Sequence, residues 1–283
     1  MPILSLKMDR FCSMLCSSSL AVLNYGLVDL SLGIRGLPRI IISGYRVGIT
    51  LLPVKITNIP ISSHIFDMDI QGVIFDLDGT LVDSREADLR ALSKAVREII
   101  GEEIPLESLD RFFGISSRET AEQIAAAEAD RLIARWAVHY QQEAAEGLHI
   151  FPGVESALHE LHASGLQLGV VTLQTRSEMN ITRQCVQLDH LICSWVALND
   201  TTHPKPHPEP LFLALEQLGL EAGQSVMIGD SIKDMNAGRA AGVRTGAALW
   251  GSLERDDILA FRPDYIFSHP AEMRQLCDHR TKV

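Results

Sequence analysis

Gly72-Val73-Ile74-Phe75-Asp76-Leu77-Asp78-Gly79-Thr80 is the stretch on which the fold turns. Four apolar residues run without a polar break, which is the pattern of a strand buried on both faces. They end at two carboxylates one residue apart, and the glycine after the second permits a sharp turn. Similar short apolar runs bounded by Gly, Asp or Ser recur at 166–172, 191–198, 225–228 and 243–249. Between them lie helical patterns. Val154, Ala157, Leu158 and Leu161 fall at i, i+3, i+4 and i+7, and Leu211, Leu215 and Leu218 repeat a similar spacing. Strands alternating with helices predict an α/β fold, a doubly wound parallel sheet.

One stretch breaks the alternation. Residues 84–150 carry helical signals and no convincing strand, with a stripe of Leu89, Leu92, Val96 and Ile99 that Ser84 can cap and Gly101 can end. Trp136 sits in a further amphipathic segment, and Phe151-Pro152-Gly153 closes the stretch with a turn. This predicts an α-helical cap, residues 84–150, inserted after the first strand of a core made of 68–83 and 151–283.

The 283 residues carry a formal charge of -11, unevenly spread: residues 1–67 are net +3 and the remainder -14. So acidic a domain repels a polyanion, which argues against nucleic acid as a partner. Five cysteines, Cys12, Cys16, Cys185, Cys193 and Cys277, lack paired C-x-x-C spacing and read as reduced thiols of a cytoplasmic protein. Residues 1–67 contain no Glu, and their uncharged run from Phe11 to Val28 is interrupted by Ser17, Ser18, Ser19 and Asn24. It is too broken for a membrane span. Because the strand feeding Asp76 starts just after Met68, residues 1–67 are expected to be an extension outside the functional protein, with a targeting segment or an added structural element as the alternatives.

Asp76, Thr172, Lys205 and Asp230 all follow predicted strands, and in an open α/β sheet the carboxyl ends of the strands form the ligand crevice. Phosphate-ester hydrolysis depends on positioning and on neutralising oxygen charge. A carboxylate such as Asp76 is ionised at neutral pH and can attack phosphorus without a separate base. Asp78 can protonate the leaving oxygen and then activate water. Asp76, the backbone carbonyl of Asp78 and Asp230 form a partial oxygen shell suited to Mg2+. Thr172 offers a hydroxyl and Leu173 a backbone N–H to a phosphoryl oxygen, Lys205 a point charge from a proline-stiffened loop, and Asp234 supports Lys205 or a metal-bound water. His139, His149, His159, His162, His203 and His207 show no metal-pair spacing and read as surface or loop residues.

With Asp76 and Asp78, Thr172, Lys205, and Asp230 with Asp234 in this order, residues 68 to about 250 resemble the haloacid dehalogenase superfamily, in the branch with a helical cap after the first motif. The general likeness is to phosphoglycolate phosphatases, and the run Thr202-His203-Pro204-Lys205-Pro206-His207-Pro208-Glu209-Pro210 also resembles bacterial pyrophosphatases of that family. The resemblance implies a Mg2+-dependent phosphatase of a small phosphorylated substrate acting through an aspartyl-phosphate, with an inorganic pyrophosphatase as the alternative. It also implies that Asp78 separates the chain from dehalogenases, and that Asp88, standing where mutases carry a cap histidine, separates it from those enzymes. Many relatives have Asn after the motif-two hydroxyl residue, whereas Leu173 stands here. In the cap, the segment 114–120 resembles the substrate-facing loop of capped relatives, which makes Arg118 a candidate contact for a second anionic group.

Overall fold

The computed structural model describes residues 69–277, together with the backbone of three short strands earlier in the chain: β1 (Leu20–Leu23), β2 (Gly26–Leu32) and β3 (Pro38–Ile41), paired antiparallel in that order. The chain divides into two compact units, Met1–Ile61 and Ser62–Val283. Apart from those strands, the extension expected over residues 1–67 lies outside the described residues, as does Met68.

The second unit is built on β4 (Gly72–Phe75), whose four residues are all buried. Its side chains alternate between two layers, as the two-residue period of a strand requires. Val73 and Phe75 pack with Leu158 and Leu161 on one face, and Ile74 packs with Leu211, Leu215 and Leu218 on the other. A strand with apolar layers on both sides belongs in the middle of a sheet. β4 lies there, paired in parallel with β7 (Gln167–Val171) on one side and β9 (Ser225–Gly229) on the other. The sheet continues outward from β7 to β8 (Ser194–Val196), and from β9 to β10 (Arg244–Ala248) and β11 (Tyr265–Phe267), every pair parallel. The connecting helices are α5 (Val154–Ala163), α6 (Arg176–Val186), α7 (Glu209–Leu218), α8 (Ile232–Ala241) and α9 (Arg255–Phe261). This is the expected doubly wound sheet. The chain leaves β4 in opposite directions in its two halves, so the crevice at the carboxyl ends of β4, β7 and β9 is the switch point at which such sheets bind ligands.

Between β5 (Val82–Asp83) and β6 (His149–Ile150) lie only helices: α1 (Arg85–Ile100), α2 (Leu106–Leu109), α3 (Ser117–Ala125) and α4 (Ala129–Gly147). Helix α1 buries Leu89, Leu92 and Val96 and ends at Gly101, matching the stripe. β5 and β6 pair antiparallel through two residue pairs, so the helical segment leaves and rejoins the core at one neck.

Three local expectations are corrected. The strand expected over 191–198 forms only at Ser194–Val196, because the N–H groups of Leu191 and Ile192 both donate to the Leu188 carbonyl in a turn. Ser84 precedes α1, but its hydroxyl donates to Asp78 Oδ1 and accepts no N–H of the helix end. β11 was not expected; it is a three-residue edge strand with Ile266 exposed. No helix of the described residues is long and apolar enough to cross a membrane.

Candidate active site

Parallel pairing brings the strand-end residues to one edge. The Asp76 N–H donates to the Ile228 carbonyl (2.9 Å) and the Thr172 N–H to the Val196 carbonyl (3.0 Å), extending the ladder one step past each strand. The chain then turns at Gly79, whose φ of +76° favours glycine. A Cβ there would also lie 2.4 Å from Asp230 Oδ2, so the turn and the close approach of Asp230 both require its absence. Thr80 donates from Oγ1 to Asp230 Oδ1 (2.7 Å), tying the first motif to the last.

Lys205 lies at the centre. Its side chain is 1% exposed, and Nζ donates to Asp76 Oδ1 (2.7 Å), Asp234 Oδ1 (2.7 Å) and the Val171 carbonyl (2.9 Å), three acceptors for its three donors. The loop is prepared for this. Prolines at 204, 206, 208 and 210 restrict alternate residues, and the Glu209 carboxylate accepts the N–H groups of Thr202 and His203, both at 3.0 Å. His203 and His207 are exposed on this loop, beside Glu209. Asp234 is held from its other side: Oδ2 accepts from the Ser231 N–H (3.1 Å) and hydroxyl (2.6 Å) in the capping box that starts α8. The spacing of Ser231 and Asp234 carried that signal in the sequence.

Asp78 is held by residues the motif reading did not reach. Oδ1 accepts from Ser84 Oγ (2.5 Å) and from Gln174 Nε2 (2.9 Å). Gln174 Nε2 also lies 3.2 Å from Tyr140 Oη of α4, while its Oε1 accepts from Thr182 Oγ1 (3.0 Å), which contacts Tyr140 Oη in turn (2.9 Å). The acid is thereby connected to the helical segment. Asp88, on α1, accepts from Trp136 Nε1 (3.0 Å). A cavity of about 50 Å3 lies here, lined by Asp78, Asp88, Trp136, Tyr140, Leu173 and Glu178 among others. Ser117 and Gly114 line it too, but Arg118 does not; its guanidinium is exposed and pairs with Asp130 at 2.7 Å. Thr172 is buried, and its Oγ1 accepts the Gln174 N–H (3.1 Å).

Electrostatics follow from burial. Asp76 is pushed up to about 7, first by burial, then by Asp234 and Asp78, with Lys205 opposing. Asp78 is pushed up to about 6, again mainly by burial, with the Ser84 hydrogen bond and Lys205 pulling it down. Asp230 is raised well above the usual carboxylate range by burial and by Asp76 and Asp234. Burial draws Lys205 down, but Asp234 and Asp76 outweigh it and leave the ammonium held more firmly than usual. The carboxylate oxygens of Asp76, Asp230 and Asp234 lie within 4.8 Å of one another. A set of hard oxygen donors, with buried acids raised for want of counter-charge, fits a divalent cation of the magnesium type.

A six-stranded parallel sheet with a lysine clamped between two carboxylates at its switch point is the framework of a hydrolase with a Rossmann-like core. The chain belongs to the haloacid dehalogenase-like hydrolases, whose family model matches residues 73–248, more than half of its length. It is 32% identical over 203 residues to a protein of Oceanobacillus iheyensis named pyrophosphatase PpaX, covering 70% of this chain and 92% of that one. A protein of the same name from Bacillus velezensis is 30% identical over 207 residues, 73% of this chain and 96% of the other. Among solved structures, a Lactobacillus plantarum protein provisionally described as a phosphoglycolate phosphatase superposes with a TM-score of 0.67 at 26% identity, covering 74% of this chain and all of that one.

Proposed function

We propose that the chain is a Mg2+-dependent phosphatase that hydrolyses a small phosphorylated metabolite, of the size class of phosphoglycolate, through an aspartyl-phosphate on Asp76. The observation that carries this reading is the Lys205 clamp: one buried ammonium holds Asp76 Oδ1 at 2.7 Å and so fixes the second oxygen for attack. In the first step Asp76 bonds to phosphorus, the bond from phosphorus to the leaving oxygen breaks, and Asp78 gives that oxygen its proton. In the second, water attacks phosphorus, Asp78 takes the proton back, and the bond to Asp76 breaks, releasing phosphate. An acid raised to about 6 exchanges a proton readily near neutrality. Thr172 and the Leu173 N–H bind phosphoryl oxygens, Lys205, with its three donors engaged by Asp76, Asp234 and the Val171 carbonyl, contributes its positive charge to them, and Asp234 holds Lys205 in place. Mg2+, held by Asp76, the Asp78 carbonyl and Asp230, would offset the negative charge of the phosphoryl oxygens.

Pyrophosphate is the second reading, favoured by the name of the Bacillus velezensis and Oceanobacillus iheyensis relatives. Phosphate release with and without Mg2+ from a panel of phosphoglycolate, pyrophosphate, sugar phosphates and nucleotides separates the two. Asp76→Asn should reduce Mg2+-dependent release to background for every substrate. Unchanged release in that variant would show the nucleophile to be misassigned.

A further inference from the structure

The two carboxyl oxygens of Asp78 have different surroundings. Oδ1 accepts from Ser84 Oγ (2.5 Å) and from Gln174 Nε2 (2.9 Å), whereas Oδ2 takes no hydrogen bond from the described residues. Oδ2 is therefore the oxygen left to meet a leaving group. The amide of Gln174 maintains this difference only while its nitrogen faces Asp78. Turned over, it would aim its carbonyl oxygen at Oδ1, acceptor against acceptor.

The neighbours of Gln174 choose which end of the amide faces Asp78. Gln174 Oε1 accepts from Thr182 Oγ1 (3.0 Å), so the single Thr182 hydroxyl proton is already placed and Thr182 Oγ1 accepts from Tyr140 Oη (2.9 Å). Tyr140 Oη in turn accepts one N–H of Gln174 Nε2 (3.2 Å). The three groups close a ring in which each donates once and accepts once, and the other N–H of the amide remains for Asp78. Tyr140 and Thr182 are buried, so water does not readily replace a missing partner. Burial, and then the charge of Asp78, raise the Tyr140 hydroxyl well above its usual range, which keeps it a donor. Tyr140 belongs to α4 and Thr182 to α6, and Tyr140, Gln174 and Asp78 all line the cavity of about 50 Å3.

Resting on the phosphatase reading, we propose that Tyr140 and Thr182 are positioning residues for the proton transfer to the leaving oxygen: their ring holds the Gln174 amide with an N–H on Asp78 Oδ1, so that Oδ2 delivers the proton. Neither residue touches the reacting atoms. Each acts through Gln174, and losing either hydroxyl frees the amide to turn over and Asp78 to rotate.

The test compares kcat/KM for two kinds of substrate that are similar in size and differ in their need for a proton. One is phosphoglycolate, or ethyl phosphate where that is the better alkyl ester; the other is acetyl phosphate, whose acetate departs as a stable anion. Because kcat/KM reports only the steps through the first bond breaking, the later role of Asp78 toward water drops out. Tyr140→Phe and Thr182→Val keep the side-chain shapes, and each should lower the alkyl-to-acetyl ratio of kcat/KM about tenfold. Thr182→Ser, which keeps the hydroxyl, should stay within about twofold of the wild-type ratio. An equal fall on both substrates would show a merely structural role and overturn the inference. So would an unmoved ratio in Tyr140→Phe or Thr182→Val, or the full loss in Thr182→Ser. If the wild-type protein hydrolyses acetyl phosphate and neither alkyl ester, no acid assists departure and this inference falls alone. If no donor releases phosphate, the phosphatase reading falls and takes the inference with it.

Discussion

Replacing Lys205 with methionine keeps most of the side chain's bulk and removes its charge, so it isolates what the ammonium does. In the folded protein Nζ satisfies the Asp76 and Asp234 carboxylates and the Val171 carbonyl from a position 1% exposed to solvent. Without it, two carboxylates face each other across a dry space. Removing one partner of a buried ion pair is destabilising by about 3–5 kcal/mol, because the other charge remains uncompensated. At roughly 2–4 °C per kcal/mol for a domain of this size, the melting temperature should fall by about 6–20 °C. Asp76 would also lose the lysine that draws its proton affinity down, so the folded variant should take up a proton more readily, and its deficit should be smaller at acidic than at alkaline pH. Adding Asp234→Asn removes one of the two stranded charges. The double variant should be more stable than the sum of the single losses predicts, with a coupling of about 0.5–3 kcal/mol. Thermal and urea unfolding of the four proteins measures all of this. A loss under about 1 kcal/mol in Lys205→Met, or strict additivity in the double variant, would refute the clamp as the organising interaction.

Gln174→Ala removes the amide donor at 2.9 Å from Asp78 Oδ1, and kcat should fall about 10–100-fold with little change in KM; an unaltered kcat would mean that Ser84 alone positions the acid. Gly229→Ala would bring a Cβ to 2.3 Å from Asp234 Cγ, and the overpacking should destabilise by about 1–3 kcal/mol and displace Asp234 from Lys205, seen as a lowered melting temperature together with lost turnover. Asp88→Asn should stabilise the protein at neutral and alkaline pH. Burial, then Asp78 and Glu178, make folded Asp88 hold its proton to higher pH than the unfolded chain, so wild-type stability falls as pH rises above about 4; melting curves of the two proteins should converge below that pH and diverge above it.

The sheet was legible because its strands are short and buried on both faces, so that Gly72–Phe75 and Ser225–Gly229 read as unbroken apolar runs. What stayed hidden lacks that contrast. β11 is half exposed, and the run at 191–198 is apolar because Leu191 and Ile192 plug the core from a turn. The motif positions could be read because strand order and strand ends suffice to gather Asp76, Thr172, Lys205 and Asp230 at one edge. The residues that hold Asp78 could not. Ser84 has a position that suggests helix capping, and Gln174 and Tyr140 meet across 34 positions of sequence through the packing of α4 on α6. Thr80 shows the same limit: its partner Asp230 is 150 residues away.

The neck formed by β5 and β6 has an evolutionary consequence. Because the segment between them departs and returns at adjacent positions, the entropy of closing the chain there grows only slowly with its length, and its other contribution to folding is its packing on the core, as where α4 meets α6. A helical insert of another size or sequence can be exchanged at this point without disturbing the register of β4, and hence without moving Asp76. The sheet edge that holds Asp76 and the helical segment thus vary under separate constraints, the first set by strand register and the second by a junction of two residue pairs.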